Sequence, residues 1–308
     1  MIFKNLEDIK KLSLKEKKEA LMPQHRFKLY NGLHRSNMML NPLNLKHLNR
    51  LDSLDADAVT LNLEDAIAPS KKEEALINIA YFLSHLKRTK SEIIIRVNPL
   101  DCGGLEEIEF LKDFCFNAIR ISKVKSQEEI EKVLKILPKE KKVHISLESK
   151  EAFRDLSFWM LDSRFERANL GVLDLLADLD LPQSLLKLNN STIGYILSKF
   201  LIDCKTIGIE PVSFMYQDYK NIDEFREFCL WEKSLGFKSK ACMGPAQVKI
   251  ANEIFAPNID EIDRAKEIIE AFEANSKEGI NGFMHQEYGF IDEPIYKDAQ
   301  NVLNSAKI

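Results

Sequence analysis

Residues 92–148 read EIIIRVNPLDCGGLEEIEFLKDFCFNAIRISKVKSQEEIEKVLKILPKEKKVHISLE. Three short runs rich in β-branched and apolar residues stand out: Glu92–Asn98, Ala118–Val124 and Lys142–Glu148. Longer segments of helical character lie between them. The second opens on Ser126-Gln127-Glu128-Glu129, a capping box in which the Ser hydroxyl and the Glu carboxylate each serve an orphan amide of the first turn. Parallel strands cannot be joined by a tight turn and need a crossover. The stretch therefore reads as strand–helix–strand–helix–strand within one parallel sheet.

The same alternation continues in both directions. Ser36–Asn41 and Ala58–Glu64 precede it, and Arg167–Leu173, Pro211–Tyr216 and Ser239–Gly244 follow, giving eight candidate strands. Ser70-Lys71-Lys72-Glu73 is a further polar helix opening. Eight such units in about 210 residues fit a (β/α)8 TIM barrel better than an open, doubly wound sheet. The expected organisation is an N-terminal helical extension over residues 1–34, the barrel over 35–275, and a C-terminal lid segment over 276–308. In the extension, Ser13-Leu14-Lys15-Glu16 is another capping box, heading a Lys/Glu-rich helix whose charges read as a solvated face. In the tail, Asn258-Ile259-Asp260-Glu261 opens a helix to about Asn275. A loop with Gly279 and Gly282 follows, and a last helix starts near Pro294.

Composition narrows the function classes. The 308 residues carry 44 Lys+Arg against 48 Asp+Glu, a net charge of −4, which disfavours a general nucleic-acid binder. Gly and Pro, at 11 and 10, are too scarce for an all-β fold of many tight turns. Five Cys at wide spacing with no C-x-x-C read as reduced thiols, the expectation for a cytoplasmic protein. The N-terminal residues lack the apolar run of a signal peptide, and no stretch approaches a membrane span, so no membrane partner is expected.

Catalytic residues of such barrels gather where strands end. Here those positions are charged: Glu64 and Asp65, Arg96, Lys123, Glu148 and, running on from strand six, Asp174. Carboxylates facing Arg and Lys point to an anionic substrate and a hard cation such as Mg2+. His144 lies four residues before Glu148, below the rim, and the His/Cys set of a catalytic zinc site is absent.

These positions also fall within recognisable motifs. Leu61–Pro69 (LNLEDAIAP) resembles the "DLEDAVAP" segment of the citrate lyase β-subunit and malyl-CoA lyase group, within the HpcH/HpaI aldolase superfamily. Arg96–Asp101 is similar to its "RVNPLD", Ile121–Ser126 to "LPKVES", Leu147–Ser149 to "IET" and Gly171–Leu175 to "GAEDL". Cys242–Val248 resembles "CIHPAQI", and Gly289–Pro294 resembles "GxMIDEP". The resemblance is collinear from Arg35 to Ala306. It implies a barrel with a C-terminal lid and Mg2+-dependent cleavage or formation of a C–C bond in a β-hydroxyacyl thioester or related hydroxy-oxo acid. By the same resemblance, Glu148 and Asp174 would hold Mg2+, and Arg96 would meet enolate charge. Glu64 would orient Arg96 or a metal-bound water. Asp292 would be the acid/base, carried by the lid of a neighbouring subunit with Gly279 and Gly282 as flexible points. Arg35, Arg96 and Lys123 would bind substrate. A homo-oligomer, commonly a trimer, follows, with CoA or an acyl carrier protein carrying the acyl group.

The chain departs from the pattern at four places. Leu43 stands where "RSxLxVPG" ends in glycine, Asn62 replaces Asp, Leu173 replaces Glu, and Gly244 replaces His. Retained metal and Arg positions with a changed periphery imply family chemistry on an altered substrate. A thioesterase on the same scaffold and a non-catalytic, metabolite-binding barrel are the competing readings. Asp292 reads alternatively as a helix N-cap before Glu293-Pro294, and Lys123 as the partner of a rim acid. Cys242, Phe158 and Trp159 read as core.

Overall fold

A computed structural model describes residues 1–160 and 162–306. The eight expected strands form one parallel sheet. They are β1 (Ser36–Leu40), β2 (Ala58–Asn62), β3 (Glu92–Val97), β4 (Ala118–Ile121), β5 (Lys142–Leu147), β6 (Phe165–Leu170), β7 (Glu210–Val212) and β8 (Lys240–Cys242). Neighbours pair in sequence order from β1 to β7, and β8 pairs back onto β1. The β7–β8 seam is thin. It rests on Ser213, whose N–H donates to the Ser239 carbonyl (2.9 Å) and whose carbonyl accepts from the Ala241 N–H (3.0 Å). The sheet is thus nearly closed into a (β/α)8 barrel.

Strand burial follows from this closure. Val59, Leu61, Ile93, Ile95, Ile119 and Ile121 alternate with inward positions and lie fully buried. Ala58, Ile94 and Ala118 pack together inside. Above them the interior turns polar, with Asn37, Thr60, Asn62, Arg96, Arg120, Ser146 and Asn169 all buried. A barrel interior normally fills with bulky branched side chains. Polar filling reserves room for a ligand.

Strand ends and one helix face differ from expectation; β7, for instance, stops at Val212 and not at Tyr216. β6 stops at Leu170, three residues earlier than the sequence pattern indicates, because Gly171 breaks the strand and a helix follows at Val172–Asp178. Asp174 therefore sits on the first turn of a helix, not on a strand end. Phe158 and Trp159 also differ from a shared core face. A 3₁₀ turn at Leu156–Phe158 splits them, leaving Trp159 buried but Phe158 78% exposed. Cys242 is buried as expected.

The chain divides into two compact units, residues 1–253 and 254–308. In the first, the N-terminal residues pack on the barrel. Phe3 stacks on Tyr81 and meets Phe82 edge-on. The helix Leu14–Glu19 has its capping box and lies on the helix Lys72–His85, where Lys17 donates to Asn78 Oδ1 (2.8 Å). The Asn78 amide donates in turn to the Pro42 carbonyl, beside Leu43 (3.2 Å). The second unit holds the helix Ile259–Lys277, a hairpin of β9 (Gly282–His285) and β10 (Gly289–Asp292), and the helix Glu293–Ala306. Ala265, Ile268, Phe272, Ile291 and Ala299 form its core. No described helix is long and apolar enough to cross a membrane.

The N-terminal end of the barrel is closed by buried charge. His34 Nδ1 lies 2.7 Å from Glu92, Arg167 bridges Glu92 and Glu166, and His144 Nε2 sits 3.3 Å from Glu166. Burial, followed by the Arg167 charge, lowers the His34 pKa. Burial also lowers that of His144. Burial would raise Glu92 and Glu166, but their His and Arg partners outweigh it and both are lowered. The signs agree. A histidine lowered in the fold binds its proton more readily when unfolded, so stability falls as pH drops below about 6.5. The lowered carboxylates withdraw further stability below about 4.5. Denaturant midpoints should therefore decline monotonically from pH 7.5 to 4. A midpoint that rises between pH 7 and 5.5 would contradict the assignment.

Candidate active site

The C-terminal ends of the strands surround a pocket of about 330 Å3. Its lining includes Asn62, Arg96, Arg120, Glu148, Asn169 and Asp174. Arg96, on β3, lies between two acids: Nη1 is 2.9 Å from Glu64 Oε2 and Nη2 is 2.8 Å from Glu148 Oε1. All three side chains are buried. Lys123 reaches Glu64 (3.1 Å) and Asp65 (3.4 Å), while its backbone N–H donates to Glu148 Oε2 (3.1 Å). The Asp65 N–H also donates to the Glu64 carboxylate. Each bond fixes a carboxylate that would otherwise be a costly isolated buried charge.

Backbone strain collects here. Ala66 (φ 71°) and Lys123 (φ 51°) are both left-handed non-glycine residues, at the turns after β2 and β4. Such conformations cost about 1–3 kcal/mol each and persist where surrounding structure holds them. At Lys123 the strained turn aims both the amide and the ammonium at acids of the pocket.

Electrostatics marks Glu148 out. Burial, with the charges of Asp174 and Glu64, raises its pKa against the pull of Arg96 and Arg120. Burial would lower Lys123, but Glu64 and Asp65 overcome it and hold the ammonium above its ordinary range. Asp65 is lowered: burial works against this, and Glu64, Lys123 and Arg96 prevail. Asp174 accepts no hydrogen bond and makes no ion pair among the described residues. An unengaged carboxylate next to a crowded one suits a hard cation.

Glu148, Asp174, Arg96, Glu64 and Lys123 are thus brought together around one pocket. Arg35 is not. It precedes β1, at the opposite end of the barrel, and pairs with Asp57 (2.8 Å). Asp292 lies in the second unit at the end of β10, where its Oδ1 accepts from the Ile295 N–H (3.3 Å) as a helix cap.

Three supports escaped the sequence reading. Lys72 Nζ donates to the carbonyls of Leu63 (2.6 Å) and Glu64 (2.8 Å) and to Asn98 Oδ1 (2.7 Å), tying the β2 and β3 loops together. Arg120 lines the pocket floor from within β4, where Ala-Ile-Arg-Ile puts one base in an apolar run. Gly171 presses on Glu148: a Cβ there would lie 2.3 Å from Glu148 Cγ. Gly171→Ala should therefore displace the Glu148 carboxylate. The expected cost is about 1–3 kcal/mol of stability, with any divalent-cation affinity cut by tenfold or more. Melting and Mg2+ titration by calorimetry check both, and unchanged cation affinity would refute the contact's role.

A second acid cluster, Glu92, His144 and Glu166, has the spacing of metal ligands. Arg167 already bridges both of its carboxylates, so a guanidinium occupies the place of a cation.

A parallel barrel whose C-terminal mouth rings a guanidinium with carboxylates has the layout of a barrel enzyme's active site. The chain belongs to the HpcH/HpaI aldolase/citrate lyase family, whose model matches residues 35–245. It is similar to the citrate lyase subunit beta of Haemophilus influenzae, at 26% identity over 287 residues, covering 89% of this chain and 97% of that protein. It is also similar to a (3S)-malyl-CoA thioesterase of Cereibacter sphaeroides, at 27% identity, covering 75% of this chain and 80% of that protein. Among solved structures, CitE of Mycobacterium tuberculosis in complex with magnesium, acetoacetate and coenzyme A aligns with a TM-score of 0.69 at 16% identity. That alignment covers 89% of this chain and 98% of that one.

Proposed function

We propose that this protein is a Mg2+-dependent carbon–carbon lyase. Its substrate is a β-hydroxyacyl thioester, such as a citryl- or malyl-thioester, or a close hydroxy-oxo acid relative. The observation that carries the reading is Arg96, clamped between Glu64 and Glu148 at a pocket also lined by Asp174. Family membership supports the chemistry, and the CitE structure containing magnesium supports the cation.

Glu148 and Asp174 would hold Mg2+. Bound there, the ion supplies Lewis-acid polarisation and a template for the substrate's oxygens. Arg96 meets the negative charge that develops on the enolate oxygen as the C–C bond breaks. Because two salt bridges already hold its guanidinium, no reorganisation is needed at that moment. Glu64 orients Arg96, and Lys123 holds Glu64 and attracts the anionic substrate. Asp292 moves the proton, delivered by the lid of a neighbouring subunit in a homo-oligomer, with a trimer as the working assembly. The acyl carrier is CoA or an acyl carrier protein. Arg35 has no place in this scheme, since it sits at the other end of β1.

The malyl-CoA thioesterase relative favours a second reading, hydrolysis of a thioester on the same residues. One experiment separates them. Purified protein receives Mg2+ and a panel of citryl-, malyl- and methylmalyl-thioesters and hydroxy-oxo acids. Oxo-acid release, falling at least a hundredfold in Asp174→Asn, is the expected result. Free thiol without oxo-acid selects the thioesterase. No product from any member of the panel overturns both.

A further inference from the structure

Among the described residues the charges around the pocket pair off with two exceptions: the Asp174 carboxylate, already assigned to the cation, and the Arg120 guanidinium. Arg96 holds Glu64 and Glu148, and Lys123 holds Glu64 and Asp65. Arg120 makes no ion pair and no side-chain hydrogen bond among the described residues, yet it is only 3% exposed. Its Nε is fully enclosed without a partner. Asn169, on β6, is in the same condition: both its amide nitrogen and its amide oxygen are buried and unpartnered. Both residues line the pocket. Arg120 lies within β4 as the register partner of Arg96 on β3, whereas Lys123 lies past the end of β4 in the turn that follows. A guanidinium and an amide thus lie at the floor, beneath the acids of the rim.

Leaving an ionised guanidinium buried and unpaired is strongly unfavourable. Burial and the nearby Arg96 charge lower the Arg120 pKa to about 9, against the opposing pull of Glu148 and Glu64, so the group remains charged at neutral pH. Its geometry matches a carboxylate, which accepts two parallel N–H bonds from a guanidinium. The Asn169 amide can donate to the same anion.

We propose that Arg120 and Asn169 form a carboxylate subsite at the pocket floor, and that the small acid handled here is a compact 2-oxo or 2-hydroxy diacid. One end of such a molecule meets the rim at Glu148, Asp174 and Arg96. The second carboxylate descends to Arg120. The inference rests on the lyase reading only for which end reacts; the subsite itself requires only binding.

The test is calorimetric binding in the presence of Mg2+, with malate and 2-oxoglutarate against lactate and pyruvate. Wild-type protein should bind the diacids about tenfold or more tighter than the monoacids, the usual scale of a charge-assisted contact. Arg120→Met should reduce that preference to within about twofold, and Asn169→Leu should reduce it in part. Arg120→Met should also melt higher than wild type, because an unpaired buried charge is gone. A structural role for Arg120 predicts a lower melting temperature instead, so the variant separates binding from folding. Equal affinity for diacids and monoacids, failure of all four to bind, or a preference surviving in Arg120→Met overturns the subsite. Diacid preference without any thioester cleavage would sink the lyase reading and leave the subsite standing. Cleavage without diacid preference would do the reverse.

Discussion

Arg96→Met should destabilise the barrel by about 3–5 kcal/mol and abolish turnover, because it strands two buried carboxylates at once. Glu64 and Glu148 have side-chain exposures of only 3% and 5%, and the guanidinium lies within 2.9 Å of each. Lys123 remains for Glu64, and the Lys123 amide for Glu148, but neither replaces a shared cation between the two. The pH dependence gives a second, independent reading. Glu148 is already raised by burial and by Asp174 and Glu64, with Arg96 pulling the other way. Removing Arg96 raises it further. A carboxyl group raised in the fold is destabilising above its folded pKa, and relief comes as pH falls through that pKa toward the unfolded value near 4.5. The stability difference between wild type and variant should therefore narrow as pH is lowered from 7 toward 5. Denaturant unfolding at several pH values measures it, and Arg96→Met/Glu148→Gln should recover part of the loss. A variant melting within about 2 °C of wild type would show that the acids do not depend on Arg96.

The second large effect lies at the seam. Lys240 and Glu232 are both wholly buried and 2.6 Å apart. Lys240 Nζ also donates to the Phe214 carbonyl (3.0 Å) and sits 4.0 Å from the Phe214 ring centroid. It thus ties β8 to the chain just beyond β7, where among the described residues Ser213 alone bridges the sheet closed. Lys240→Met strips the buried Glu232 of its counter-charge, and the Phe214, Phe225 and Phe228 rings around the lost ammonium offer no replacement. The expected loss is about 3–5 kcal/mol, or roughly 10 °C in melting temperature for a unit of this size. The double variant Lys240→Met/Glu232→Leu removes both charges and should restore most of it. If the double variant is no more stable than the single, the seam needs the ion pair itself and not merely the absence of a lone acid. Scanning calorimetry on the three proteins decides this.

Much of the site was legible along the chain, for a physical reason. In a parallel barrel all strands end on one face, so strand-end charges converge without knowledge of any distance. Glu64, Arg96, Lys123 and Glu148 were found that way. Asp174 was found too, although on a helix turn one step beyond where the pattern put it. Arg35 shows the limit. A motif records which residues occur in order, but not which end of a strand they occupy, and Arg35 belongs to the end facing away from the pocket. Arg120 shows the converse. It lies inside a strand, where a base in an apolar run has no visible partner and no visible lack of one.

The sequence by itself determined the parallel sheet, the eight strands and the rim charges, because these follow from local periodicity and from the crossover that parallel pairing requires. Only the tertiary structure decided which charges are spent and which remain. Among the described residues Arg96 has two acids and Arg120 has none, and Gly171 is the residue that lets Glu148 stand where it does. Pairing, burial and close approach are properties of residues brought together across strands, and no spacing along one chain contains them.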